Sequence, residues 1–306
     1  MLILVSGLLL LHGQLYFANI SNIYYIVYSI GDHRTMNIEQ FFFEHPVFRL
    51  NDFVRWKTGY GAYNKQAINS QIQHYLRSGR LLRVRRELYA VIPPNETSES
   101  LSVDPYLIAG KVTDDSILAF HTALELFGVA YSSFEQFTYL SQQKTKPFEF
   151  QARWFQSVAF PVRLRSHHDI SFEVETIHRS GIDIRITSLS RTYVDVLNRV
   201  ELSGGWEEVV RSIDNLAVID IDRVIDYCLK LNNAILSAKV GYFLEERQGA
   251  FAATNKQINK LLKKKPTVPQ YLSKQHAEPC RLIKKWNIMM PISVIERSWE
   301  EPEHDI

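Results

Sequence analysis

Residues 64–92, NKQAINSQIQHYLRSGRLLRVRRELYAVI, decide how the rest of the chain is read. At about 100° per residue, Ile68, Ile72, Tyr75 and Leu76 share one stripe of a helix, while Gln66, Ser70, Gln73 and Arg77 fall on the opposite side. One face is suited to packing. The other carries amides, a hydroxyl and a guanidinium, the groups that make paired hydrogen bonds to base edges in a major groove. Ser78-Gly79 stops the helix, because glycine closes a helix C-terminus in the left-handed conformation at little cost. Two β-prone runs follow, LLRVRR at 81–86 and LYAVI at 88–92, and meet near Glu87 as a short hairpin. Helix, glycine stop and arginine-bearing hairpin together predict a winged helix-turn-helix.

Charge points the same way. Residues 45–92 hold nine Lys or Arg against two acids, Asp52 and Glu87, a net +7 in a chain whose total is only +2. The remainder is therefore acidic, and a nearly neutral protein contains a strongly basic module. Such density is the electrostatic footprint of phosphate binding, whereas an ordinary soluble surface interleaves both signs.

Working outward, residues 38–44 and 50–57 read as two short helices, the second turning Leu50, Phe53 and Val54 inward, and Thr58-Gly59-Tyr60-Gly61 supplies the turn before the recognition helix. In a helix-turn-helix the earlier helix crosses the phosphate backbone, a task for which Arg55 and Lys57 are placed. Upstream, residues 2–11 form the apolar run LILVSGLLLL, which is too short to span a bilayer and has no preceding Lys or Arg to make it a secretory signal. We read residues 1–35 as an upstream extension or apolar leader, with translation starting at Met36, since codons for Gly31-Asp32 can spell a purine-rich ribosome-binding sequence. A membrane anchor is the alternative. An intact mass of native protein beginning at Met1 would exclude the internal start.

Residues 93–104, PPNETSESLSVD, are rich in Ser, Glu and Pro and predict a linker at 94–104. Beyond it, 105–109 and 116–127 read as helices, the second with Ile117, Phe120, Leu124 and Phe127 inward. From 134 to 187 the texture becomes β-prone, with strands expected at 137–140, 148–150, 160–164, 170–175 and 182–186. Helices are expected at 190–197, 205–216, 221–231, 234–246 and 254–264, and a last strand near 286–291. The fold class is thus α+β, a winged helix-turn-helix at 36–93 followed by a larger mixed α/β domain at 105–306. With 306 residues, 46% apolar and 22% charged, the chain has room for such domains at roughly 100–200 residues each. Cys228 and Cys280 are far apart, which suits a reducing compartment and makes no disulfide framework or metal pattern.

Candidate chemistry is sparse. Arg191 and Asp195 lie four apart on a helix that Ser188 can cap, which favours a structural ion pair over a catalytic carboxylate. His167-His168-Asp169 contains metal-ligand types, but no third ligand cluster at a recognisable spacing accompanies it. A metal-dependent nuclease needs converging carboxylates and commonly a lysine beside them. Asp169, Glu173, Glu175 and Asp183 are candidates, yet Glu173-Val174-Glu175-Thr176 offers no lysine in the acid-x-lysine position. No phosphate-cradling glycine loop, serine elbow or HExxH sequence occurs. Lys263-Lys264-Lys265, preceded by Lys256 and Lys260, reads as a solvated helix end or an auxiliary phosphate contact.

Several stretches, taken in order, resemble the AbiEi family of type IV toxin-antitoxin antitoxins: SGRLLRVRRELY at 78–89, DPYLIAGKVTDDSILAFHTALELFGVA at 104–130, TSLSRTYVDVL at 187–197, LSGGWEEV at 202–209, VGYFLE at 240–245 and WNIMMP at 286–291. The resemblance covers roughly 50–291, and departs from the family at Glu87, where a glycine is common at the hairpin tip. It implies an N-terminal winged helix that binds inverted repeats in its own promoter, and a C-terminal antitoxin domain that opposes a nucleotidyltransferase toxin without requiring direct contact. It implies no catalysis and no cofactor.

The resulting expectation is a cytoplasmic, non-enzymatic DNA-binding autorepressor and antitoxin, with no metal and no membrane partner. Gln66, Asn69, Ser70 and Gln73 read base edges, and Lys65, Arg77, Arg83, Arg85 and Arg86, with Arg55 and Lys57, hold the backbone of double-stranded DNA. A solitary winged-helix regulator without a toxin is the alternative, and a metal-dependent nuclease a more distant one.

Overall fold

The computed structural model describes residues 4–5, 8–11, 14–17, 37–59, 61–272 and 278–300. The chain divides into two compact units, Met1–Phe43 and Glu44–Ile306. In the first, β1 (Leu4–Val5), β2 (Leu8–Leu11) and β3 (Gln14–Phe17) form an antiparallel sheet in that order; α1 (Ile38–Glu44) comes next in sequence. The expected start at Met36 and the Gly31-Asp32 segment lie outside the described residues.

The second unit begins with β4 (Val47–Arg49), α2 (Leu50–Thr58), α3 (Lys65–Arg77), β5 (Leu81–Arg85) and β6 (Leu88–Val91). Each boundary has a local cause. The Asp52 carboxylate accepts the Arg49 N–H (2.9 Å) at the start of α2, and Gly59, at φ 52°, donates back to the Arg55 carbonyl (2.9 Å) at its end. Asn64 caps α3 by accepting the N–H groups of Gln66 (2.9 Å) and Ala67 (3.3 Å). Central strand β6 pairs antiparallel with both β4 and β5, and Glu87 turns the β5–β6 hairpin at φ 61°.

Residues 93–102 are mostly exposed, as a linker should be, yet the cores on either side do not part there. Val47, Val84, Leu88 and Ala90 share one apolar cluster with Leu107 and Ile108 of α4 (Pro105–Lys111) and with Phe137 and Phe155 beyond it. The basic head and the C-terminal region are therefore parts of one packed unit, in place of two domains joined by a tether.

A six-stranded sheet follows, made of β7 (Ile117–Leu118), β8 (Gln136–Leu140), β9 (Phe148–Phe150), β10 (Arg153–Val158), β11 (Val174–Arg179) and β12 (Ile182–Thr187) in the order β11-β12-β7-β8-β10-β9. Pairs β12–β7 and β8–β10 are parallel. Three expectations fail here. The apolar run at 116–120 forms strand β7 between β12 and β8, and the shorter helix α5 (His121–Leu126) starts only after Phe120 at φ 58°. A strand buried on both faces shows no alternation, so periodicity cannot separate it from a buried helix. At 160–164, Pro161 opens the short helix α6 (Val162–Ser166) instead of a strand. Strand β11 begins at Val174, because the carbonyls of Ile170 and Phe172 accept from the Arg191 guanidinium (3.0 and 2.7 Å) and are lost to any ladder.

The rest is helical: α7 (Leu189–Asn198), a 3-10 turn (Val200–Leu202), α8 (Trp206–Asp214), α9 (Ile221–Leu231), α10 (Ala234–Glu246), α11 (Gln248–Phe251) and α12 (Asn255–Leu262). Ser188, Asp220, Asn233 and Thr254 cap α7, α9, α10 and α12 through their side chains. Helix α7 is buried from Ser190 to Leu197 and forms the centre of the largest core cluster. A small sheet of β13 (Gln270–Tyr271), β15 (Ile288–Pro291) and β14 (Cys280–Ile283), in that order, and α13 (Ile292–Glu296) complete a mixed α+β structure with several sheets. No helix among the described residues is long and apolar enough to cross a membrane.

Candidate nucleic-acid interface

Helix α3 buries Ile68 and Ile72, half-buries Tyr75 and Leu76, and leaves Lys65, Gln66, Asn69, Ser70, Gln73 and Arg77 exposed. None of those six side chains has a hydrogen-bonding or ionic partner among the described residues. The nearest polar link on this face is from Lys57 of α2 to Gln71, one position aside. An unpartnered row of amides and cations over three turns of helix matches the donor and acceptor pattern of a groove reader.

The remaining cations separate into outward-facing and inward-held groups. Arg86 at the hairpin tip is 91% exposed and only 3.7 Å from the Glu87 carboxylate, and exposed Arg83 lies 6.0 Å from the Tyr89 ring centre. Both can reach a phosphate. Arg55 is exposed and bonded to Asp52 (2.6 Å). Arg85 lies elsewhere: its guanidinium sits 4.7 Å over the Phe148 ring with Nη1 buried, so it braces the hairpin against β9 rather than facing outward. Arg49 likewise binds Asp114 (2.8 Å) across to the C-terminal region. A break in the alternation of β5 separates Arg85 from Arg83: an irregularity in the β5–β6 register between them re-aims the second side chain.

The other candidates take structural positions. Fully buried Arg191 donates from Nε to Asp195 Oδ2 (3.3 Å), and the Tyr227 hydroxyl donates to Asp195 Oδ1 (2.7 Å) beneath the guanidinium. Burial pushes the Asp195 carboxyl up against the opposing pull of Arg191 and Tyr227, and burial with the adjacent Asp195 charge keeps the Tyr227 phenol protonated. The nuclease carboxylates do not converge: Asp169 bonds Lys230, Glu173 bonds Arg223 (2.9 Å) and Ser188 (2.9 Å), and Asp183 bonds His178 (2.9 Å). His167 Nδ1 lies 2.8 Å from the Arg163 carbonyl. Among the described residues no group of three or more His, Cys, Asp or Glu is placed to hold a metal ion. Lys260 pairs with Asp222 (3.4 Å), Lys265 caps the Lys285 carbonyl (2.5 Å), and Lys263 and Lys264 are exposed.

Sequence reasoning missed a buried polar centre between α5 and α8. His121, 2% exposed, lies 3.1 Å from Glu208 through Nε2 and 3.4 Å from Glu125 through Nδ1, and stacks on Phe134 at 3.8 Å. Glu208 also accepts from Ser132 N–H (3.0 Å) and the Ser212 hydroxyl (3.1 Å), while Glu125 accepts from Phe134 N–H (2.6 Å) and the Tyr106 hydroxyl (3.0 Å). Burial raises both carboxyls, but the Ser132 and His121 donors outweigh it at Glu208, which ends below its usual range, whereas Glu125 ends above. The only available signal was compositional: HTALE and GGWEE each carry an acid near a glycine or histidine, and nothing local says that they meet. The same holds for VGYFLE and WNIMMP, where Trp286 packs on Gly241 and donates to Glu245 (2.8 Å).

No family model matches the chain, and no curated protein matches it either. Among solved structures, the RV2827C protein from Mycobacterium tuberculosis is similar at a TM-score of 0.54 and 16% identity, over 83% of this chain and 90% of that one. At that identity the likeness concerns the fold alone.

Proposed function

We propose that the segment from β4 to β6 is a winged helix-turn-helix that binds duplex DNA, with α3 in the major groove and the β5–β6 hairpin as the wing, and that the protein is a cytoplasmic autorepressor and antitoxin of the AbiEi kind. The observation that carries the DNA reading is the outward face of α3, where six polar side chains stand exposed and unpartnered. The helix order, the sheet order β4-β6-β5 and the exposed Arg83 and Arg86 support it. The toxin-opposing role rests on the resemblance of the stretches from 78 to 291.

Fluorescence anisotropy with the promoter duplex and a scrambled duplex over a salt series tests the DNA reading. Each phosphate contact contributes about 0.9 to the slope of log K against log salt, so Arg83→Ala with Arg86→Ala should flatten it by about two units on both duplexes. Gln73→Ala should change the preference between duplexes by about 1–3 kcal/mol while leaving the slope alone. Arg85→Ala should cost stability and leave the slope unchanged, because that guanidinium faces Phe148. Equal losses for all three variants on both duplexes, or a wild-type protein that ignores DNA at low salt, would overturn the reading. Co-expression with a nucleotidyltransferase-like neighbour tests the second half: growth arrest by the toxin should be relieved by this chain and not by a folded control.

A further inference from the structure

A cavity of about 430 Å³, used by neither DNA nor any role argued above, opens between the 3-10 turn Val200–Leu202, the start of α8 and the small sheet. Its volume is within the range of small-molecule sites. The register of the sheet sets one wall. Tyr271 pairs with Met289, and Met289 and Pro291 stand two apart on β15, so they share the face opposite the buried Ile288 and Met290. Trp206, the second wall, is held in place by stacking on Phe243 at 5.9 Å.

At the inner end stands Lys239 of α10, a cation only 6% exposed. Its ammonium donates to the Leu197 carbonyl (2.7 Å) and lies 5.6 Å from the Trp206 ring centre, which leaves two of its three N–H donors without an acceptor among the described residues. Two acids also line the cavity: Glu201 bonds Arg199 and faces Lys239 electrostatically, and Glu278 accepts the Ser293 hydroxyl (2.7 Å). A buried cation with unspent donors at the end of an aromatic slot calls for an acceptor that brings negative charge and a flat apolar body.

We propose that this cavity binds a small aromatic carboxylate, with the carboxylate on Lys239 and the ring between Trp206 and the Tyr271–Met289 wall. Burial, opposed by Glu201, brings the Lys239 ammonium down to about 8, so the site holds its charge at neutral pH and loses it in mild alkali.

Calorimetric titration of the full chain with naphthoate and with neutral naphthylmethanol tests this. At about pH 7, naphthoate should bind saturably and at least about tenfold more tightly than the alcohol, and the difference should shrink about tenfold or more by about pH 9.5. Lys239→Met should equalise the two ligands. The wild-type pH series stands on its own should that variant fail to fold. Absence of saturable naphthoate binding, equal affinity for acid and alcohol in the wild type, or discrimination that survives Lys239→Met or the alkaline shift would overturn the proposal, leaving Lys239 as a cap for the end of α7. DNA binding does not enter the readout, so this proposal and the regulatory one fail independently.

Discussion

Replacing Gly241 by alanine should destabilise the protein, against the local preference of a helix. In an exposed helix interior this change gains about 1 kcal/mol. Here a Cβ on residue 241 would lie 2.1 Å from Cη2 and 2.3 Å from Cζ3 of Trp286, where carbon atoms keep about 3.5 Å or more. The indole would have to retreat by roughly 1.4 Å. Trp286 has nowhere to go: it is fully buried, and its Nε1 donates to the Glu245 carboxylate at 2.8 Å. Overpacking of this kind costs about 1–3 kcal/mol, and loosening a hydrogen bond to a charged group costs about 1.5–3 more. After the helix gain is subtracted, a net loss of roughly 1.5–5 kcal/mol is expected in urea unfolding followed by circular dichroism. Trp286→Leu in the same background should restore part of it, giving a coupling of about 1 kcal/mol or more in the double-mutant cycle. A Gly241→Ala midpoint at or above that of the wild type would refute the reasoning.

Glu87 holds φ 61° at the hairpin tip, so Glu87→Gly should raise stability by about 0.5–1 kcal/mol, the relief of a left-handed side chain less the entropy glycine adds to the unfolded chain; an unchanged or lower thermal midpoint would count against it. A fragment of residues 37–93 should be poorly folded, because Val84, Leu88 and Ala90 complete their core with Leu107 and Ile108, and a well-dispersed proton NMR spectrum of that fragment would show the shared cluster to be dispensable. The Glu208 carboxyl is depressed by its donors relative to the unfolded chain, so the stability it contributes is present above the unfolded carboxylate pKa, about 4.3, and is lost as pH falls through the lower folded value. Glu208→Gln should therefore lower stability at neutral pH and flatten its acid limb, and an unaltered limb in a pH series of urea midpoints would rule this out.

Local signals were the ones readable in the amino-acid order. The Ile68 and Ile72 stripe, the polar face of α3, its glycine stop at Gly79 and the Ser188 cap of α7 are settled within a window of four to eight residues, and each lies where the sequence puts it. What depended on distant partners was not readable. Residues 116–120 become a strand because β12 and β8 lie on either side, β11 starts late because Arg191 takes two carbonyls, and β10 was missed altogether. Arg85 carries the same charge in the sequence as Arg86, but only the arrival of Phe148 beneath the wing turns the first inward and leaves the second to solvent. His121 meets Glu208, and Gly241 meets Trp286, across separations that no periodicity spans. Helix stripes and caps arise from contacts within a turn or two of chain, whereas pairing, burial and the direction of a long side chain are decided by whichever surface the rest of the molecule brings against it.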